Sequence, residues 1–172
     1  MLKYKQNDKE IADSANLLIS ILVRFPEIAT IRFDSTKQIM KLTFMVSPAL
    51  DQEEFTDLRR IILDSITAYH MLQGRTGSQV DVQMKCYDGI SVITVYRDMN
   101  TLSKGEIAVC IALLCEHCRD RLVTDRSDTM LEDDLQMEEE LIDNMFEHVK
   151  SIRSVNNLIG IREDGRVFVY NK

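Results

Sequence analysis

Three times along this chain, a run of helical hydrophobic period is followed by two alternating runs joined by turn-forming residues. That repetition leaves few folds open. Each alternating pair has period two, which puts its apolar residues on one side of a strand, and each helical run offers an apolar stripe to cover a sheet.

The first unit spans residues 8–46. Ile11, Ala15, Leu18, Ile19 and Leu22 keep helical spacing up to Pro26, which disfavours helical geometry in the residue before it. Ile31 and Phe33, then Leu42, Phe44 and Val46, alternate with polar residues and Met45, and the turn formers Asp34-Ser35-Thr36-Lys37 lie between them. In the second unit Asp51 and Glu54 have the spacing of a capping box. Phe55, Leu58, Ile62, Ile66, Tyr69 and Leu72 continue as a stripe until Gly74. Val80, Val82, Met84 and Cys86 then alternate up to Asp88-Gly89, and residues 90–96 are β-branched or aromatic, which predicts a hairpin with a left-handed turn.

The third unit is longer. Ser103 and Glu106 form a cap pair, and Ile107 through Cys115 are all apolar, which predicts a helix buried on most sides. An acidic amphipathic run follows. Asn156-Asn157 then leads into a third hairpin, with Leu158, Ile159 and Ile161 on one arm and Val167, Phe168, Val169 and Tyr170 on the other, around Asp164-Gly165.

The predicted order is α-ββ-α-ββ-α-α-ββ: an α+β fold with an antiparallel sheet built from β-hairpins and packed with about four helices. Its first part resembles small profilin-like and secretion-chaperone-like modules. No residue motif of either is matched, so the resemblance implies a fold only. Residues 1–172 read as a single domain, in which 131–172, the acidic helix plus hairpin, could form an appended subunit. A chain of this length buries roughly two thirds of its unfolded surface and needs no metal or disulfide to fold.

Eight carboxylates and no Lys or Arg lie between Glu132 and Glu147, whereas the whole chain has 28 acidic and 21 basic residues. Outside that run the balance is 20 to 21, so one segment carries the net charge. Read as a helix, it places Leu131, Leu135, Ile142, Met145, Val149 and Ile152 on one face, and Glu132, Asp133, Glu140, Asp143 and Glu147 on the other. Thr129 and Glu132 fit a capping box, and the acid-first, base-last polarity suits the helix dipole. Glu138 breaks the pattern, because helical phase puts it amid the apolar stripe. A carboxylate buried there must be paired, hydrogen-bonded or protonated.

Cys110, Cys115 and Cys118, with Cys86 as a fourth ligand, have the C-x4-C-x2-C spacing of plant-type ferredoxins. On a helix, however, Cys110 and Cys118 would stand about 12 Å apart, too far for a small cluster. Cys115 and Cys118, with His117 beside them, could make a zinc half-site, or the thiols could be small buried hydrophobes. His70, His117 and His148 are scattered. Arg59-Arg60 and the Arg119/Arg121 pair could receive the acidic stripe of a second copy. Met45 points to the outer face of its strand and needs a cover, and a sheet apolar on both faces is covered on both.

The acidic balance disfavours a nucleic-acid partner. No stretch has the length of a membrane span, and four cysteines without an apolar leader suggest a reducing, cytoplasmic setting. The expected function is a non-enzymatic cytosolic protein-binding module (adaptor, regulator or chaperone-like) that self-associates as a homodimer and needs no cofactor. Its partner surface is expected at Glu138, Glu140, Asp143 and Glu147. One alternative is a thiol or metal protein using Cys115, His117 and Cys118; another is a small enzyme with Glu138 as general acid.

Overall fold

The computed structural model describes residues 2–75, 79–125, 132–152 and 156–171, with side chains for all of these except 2–4 and 132–139. Helix α1 (Leu2–Arg24) leads to strands β1 (Thr30–Asp34) and β2 (Ile39–Val46). Helix α2 (Gln52–Leu72) leads to β3 (Val80–Tyr87) and β4 (Ile90–Asp98). Helix α3 (Lys104–Cys118) ends in a 3-10 turn, and α4 (Glu132–Lys150) leads to β5 (Asn157–Glu163) and β6 (Arg166–Asn171). The α-ββ-α-ββ-α-α-ββ order is the one the periodicity predicts.

The six strands form one antiparallel sheet in the order β3-β4-β2-β1-β5-β6. The first hairpin is central, and the other two flank it. β5 pairs along the whole of β1, so the C-terminal hairpin extends the main sheet.

Local chemistry accounts for the joints. Asp88-Gly89 and Asp164-Gly165 both have positive φ at each residue, the type I′ geometry that matches strand twist. Asp51 Oδ1 accepts from the Glu54 amide at 2.7 Å and Glu54 Oε2 accepts from the Asp51 amide at 2.9 Å, completing the predicted capping box. Hydrogen bonds from the Arg121 guanidinium hold the Glu54 carboxyl below its usual range. Helix α1 starts earlier than the stripe from Ile11 implies, because no apolar period marks its first turns.

The core lies between the helices and one face of the sheet. Met40, Leu42, Phe44 and Val46 of β2, Ile31 and Phe33 of β1, and Ile93 and Val95 of β4 are buried there against Leu18, Ile21, Leu22, Leu58 and Ile62. In α4, Ile142, Phe146 and Val149 are buried, and the helix packs on α1. Gly160 sits where α1 crosses β5. A Cβ there would stand 2.7 Å from Ile31 Cγ2 and 2.8 Å from Leu22 Cδ1, so any side chain would force these two to shift, and glycine allows the close approach. Arg162 spans the same crossing and donates to the carbonyls of Leu22, Phe25 and Ile28 at the end of α1.

Helix α3 is buried on most sides, as its apolar run predicts: Ile107, Cys110, Ile111, Leu114 and Cys118 are buried, whereas Ala108, Ala112, Glu116 and His117 face outward. The cover expected for the second face of the sheet is not supplied by the helices. Every fully buried apolar strand residue is on one side of the sheet, and the opposite side contributes no residue to the core.

Candidate functional site

The sequence-predicted partner residues lie along α4. Glu140 is exposed, Asp143 is 3.6 Å from Lys104, and Glu147 is 3.5 Å from Lys150. Ion pairs this exposed contribute little to stability. The side chain of Glu138 and the Thr129 cap lie outside the described residues.

The thiols are separate from one another in character. Burial, reinforced by the Glu106 carboxylate, pushes the Cys110 thiol up to about 12, and burial also raises Cys118. A thiol so raised is a poor nucleophile and a poor metal ligand. Cys86 is exposed and Cys115 half-buried. Among the described residues no group of three His, Cys, Asp or Glu side chains is placed to hold a metal ion.

A cluster that no sequence motif marks lies at the centre of the fold. Arg97 falls on the core-facing phase of β4, in line with Ser91, Ile93 and Val95. Its Nε and Nη2 donate to the two carboxylate oxygens of Glu106, each at 2.6 Å, and Nη1 donates to Gln79 O at 2.7 Å and Asp98 Oδ1 at 2.8 Å. Glu106 Oε1 also contacts His70 Nε2. Arg97 and Glu106 are each 1% exposed and His70 is 2% exposed. Glu106 is thus more than a cap residue. Ser103 Oγ accepts from the Glu106 amide at 3.4 Å, but the Glu106 side chain turns inward. His70 extends the buried stripe of α2 after Leu58, Ile62 and Ile66 at intervals of four. The cluster therefore ties α2, β4 and α3 together, and it is sealed from any substrate.

The open surface is the other face of the sheet. The strand registers place its side chains in rows. One row runs Gln83, Thr94, Thr43, Thr30, Ile161, Phe168, and the next runs Asp81, Tyr96, Lys41, Arg32, Ile159, Tyr170. Ile159, Ile161, Phe168 and Tyr170 form an apolar block at the β6 end, with Phe168 38% and Tyr170 53% exposed. Arg32 and Lys41 are direct cross-strand neighbours, like charges side by side. Lys41 stacks over the Tyr96 ring at 5.3 Å, and neither cation has a carboxylate partner among the described residues. The nearby acids are engaged: Asp34 accepts from the Thr36 and Lys37 amides, Asp81 pairs with Arg59 at 3.0 Å, and Asp98 holds Arg97 and Thr101. A hollow of about 300 Å³ lies among Arg32, Asp34, Ile39, Lys41, Asn157 and Ile159. A second, of about 210 Å³, lies beyond Ile39 against Tyr96 and Gln79. Sequence alternation identifies the residues sharing this face, and Met45 among them, but no cover for it exists in the described structure.

The fold and this face define an α+β protein with a one-sided helical layer and a bare, partly apolar sheet. No protein-family model matches the chain, and no curated protein matches it. Among solved structures it is similar to the "De novo designed protein Ferredog-Diesel", at 17% identity over 57% of this chain and 85% of that one, with a TM-score of 0.33.

Proposed function

We propose that this chain is a non-enzymatic, cytoplasmic protein-binding module that takes its partner on the bare face of the sheet. The observation that carries this reading is the apolar block of Ile159, Ile161, Phe168 and Tyr170 beside the cations Arg32 and Lys41, which have no carboxylate partner among the described residues. An apolar patch bordered by charge is characteristic of protein interaction sites. The complementary partner is a protein segment with apolar side chains next to one or two carboxylates, which would enter the hollow between Arg32 and Lys41. Among the described residues no helix is long and apolar enough to cross a membrane. The acidic face of α4, at Glu140, Asp143 and Glu147, serves in this reading to steer basic regions of the partner.

Site-specific photo-crosslinking tests the proposal. A crosslinking amino acid at Thr43, in the middle of the bare face, should capture a discrete partner, and one at Ala112 on the outside of α3 should not. Arg32→Glu with Lys41→Glu should abolish the Thr43 product while the circular dichroism spectrum is unchanged. Equal products at both positions, or a Thr43 product indifferent to the charge reversal, would show that the partner sits elsewhere.

A further inference from the structure

The two edges of the sheet differ in a way that specifies an occupant for one of them. At the β3 edge the Val82 carbonyl is taken by Arg59 Nε at 3.1 Å, and Arg59 also pairs with Asp81. Asp81, Gln83 and Lys85 put charge and polarity along that strand. Such devices prevent an edge from pairing with another chain.

At the β6 edge no side chain among the described residues takes an outward carbonyl, and the strand's one charge, Arg166, sits at the turn. The two-residue turn Asp164-Gly165 makes Glu163 and Arg166 a hydrogen-bonded pair, and Ile161 with Phe168 and Ile159 with Tyr170 are the next such pairs. Arg166, Phe168 and Tyr170 therefore direct their amides and carbonyls to β5, while Val167, Val169 and Asn171 direct theirs outward. Among the described residues those outward groups have no hydrogen-bond partner. The strand reads Arg-Val-Phe-Val-Tyr-Asn, without proline, glycine or an acidic residue.

We propose that β6 pairs antiparallel with β6 of a second copy, about a two-fold axis at Val169, to give a continuous sheet across the dimer. The strand is complementary to itself in this register. Val169 meets its own copy, and Val167 meets Asn171, so all three outward-facing residues are matched in pairs and about six backbone hydrogen bonds form. Phe168 then lies opposite the second copy's Tyr170, and Tyr170 opposite its Phe168. These are non-hydrogen-bonded positions with Cα atoms about 4.5 Å apart, the closer spacing that favours aromatic contact. A slip by one residue would set the bare-face aromatics opposite the helix-side valines. The two-fold also joins the apolar blocks of both copies, giving rows that run Ile161, Phe168, Tyr170, Ile159 across the axis. A different protein's strand could meet the hydrogen-bonding groups, but it would not continue those rows. The dimer is independent of what binds the bare face, because it rests on the edge.

Sedimentation equilibrium and residue-resolved hydrogen exchange on the full chain decide the matter. The expected result is a dimer in which the Val167, Val169 and Asn171 amides are protected. Asn171→Pro removes an outward donor that β5 does not use, and should weaken the dimer about tenfold or more at an unchanged monomer fold. Val169→Pro should leave only monomer. A chain that stays monomeric at every concentration overturns the proposal. So does a dimer whose three edge amides exchange freely, or one indifferent to Asn171→Pro. The Arg32→Glu, Lys41→Glu variant should still dimerise, which separates failure of this pairing from failure of the partner-binding reading.

Discussion

At the residue scale, Arg97 is where sequence position and chemistry conflict most. Its neighbours on the same strand face are apolar, yet a guanidinium is buried there, and Glu106 alone gives it a bidentate acceptor. Without Glu106 the buried guanidinium loses its bidentate acceptor and keeps only the Asp98 carboxylate, on Nη1. Glu106→Ala should therefore cost about 3–5 kcal/mol in urea denaturation, whereas replacing both members with apolar residues of similar size should cost much less. Asp98 adds a pH dependence. Burial alone would raise its carboxyl, but hydrogen bonds from Thr101 and Gln79 and the Arg97 charge outweigh that and hold it below the ordinary value of 3.8. A carboxyl depressed by folding stabilises the protein above its unfolded value and loses that contribution as pH falls through the folded one. The urea midpoint should thus decline as pH is lowered below about 4, and Asp98→Asn should flatten that decline. The thiols give a simpler check: at pH 8 iodoacetamide should label exposed Cys86 in the native protein, while Cys110, pushed up to about 12, should react only on unfolding.

At the element scale, the crossing of α1 over β5 depends on the absence of a side chain at Gly160. Gly160→Val should push Leu22 of α1 and the Ile31 side chain away from β5 and cost about 1–3 kcal/mol, read as a lower denaturation midpoint at an unchanged m-value. The elements themselves were legible in the residues. Stripe spacing marked α1, α2 and α4, the cap pair and unbroken apolar run marked α3, and the two Asp-Gly turns fixed the second and third hairpins, because all these signals are local. The Arg97 cluster was not legible in the same way. Its members lie on α2, β4 and α3, and only the fold shows that His70 and Glu106 converge on one strand position. An arginine on the core phase of β4 was the available signal. Alternation likewise put Met45 on the outer face of its strand, but it cannot tell which face of a sheet receives the helices. That choice is made by the crossovers, which send every helix to the same side.

At the scale of the whole molecule, one-sided packing leaves a face on which a substitution should act on the proposed binding rather than on the core. Ile159→Asp, on a half-buried residue of the apolar block, should shift the denaturation midpoint little and eliminate partner crosslinking at Thr43. The strand order has a further consequence during synthesis. β1 is among the first strands made, yet its second neighbour, β5, follows more than a hundred residues later. At ribosomal rates of about 5–20 residues per second, one side of β1 stays without its partner for roughly 6–25 s. The nascent chain must pass that interval with Ile31 and Phe33 made but the neighbouring strand absent, so the period of greatest vulnerability to mispairing is set by the order in which the ribosome delivers the two hairpins.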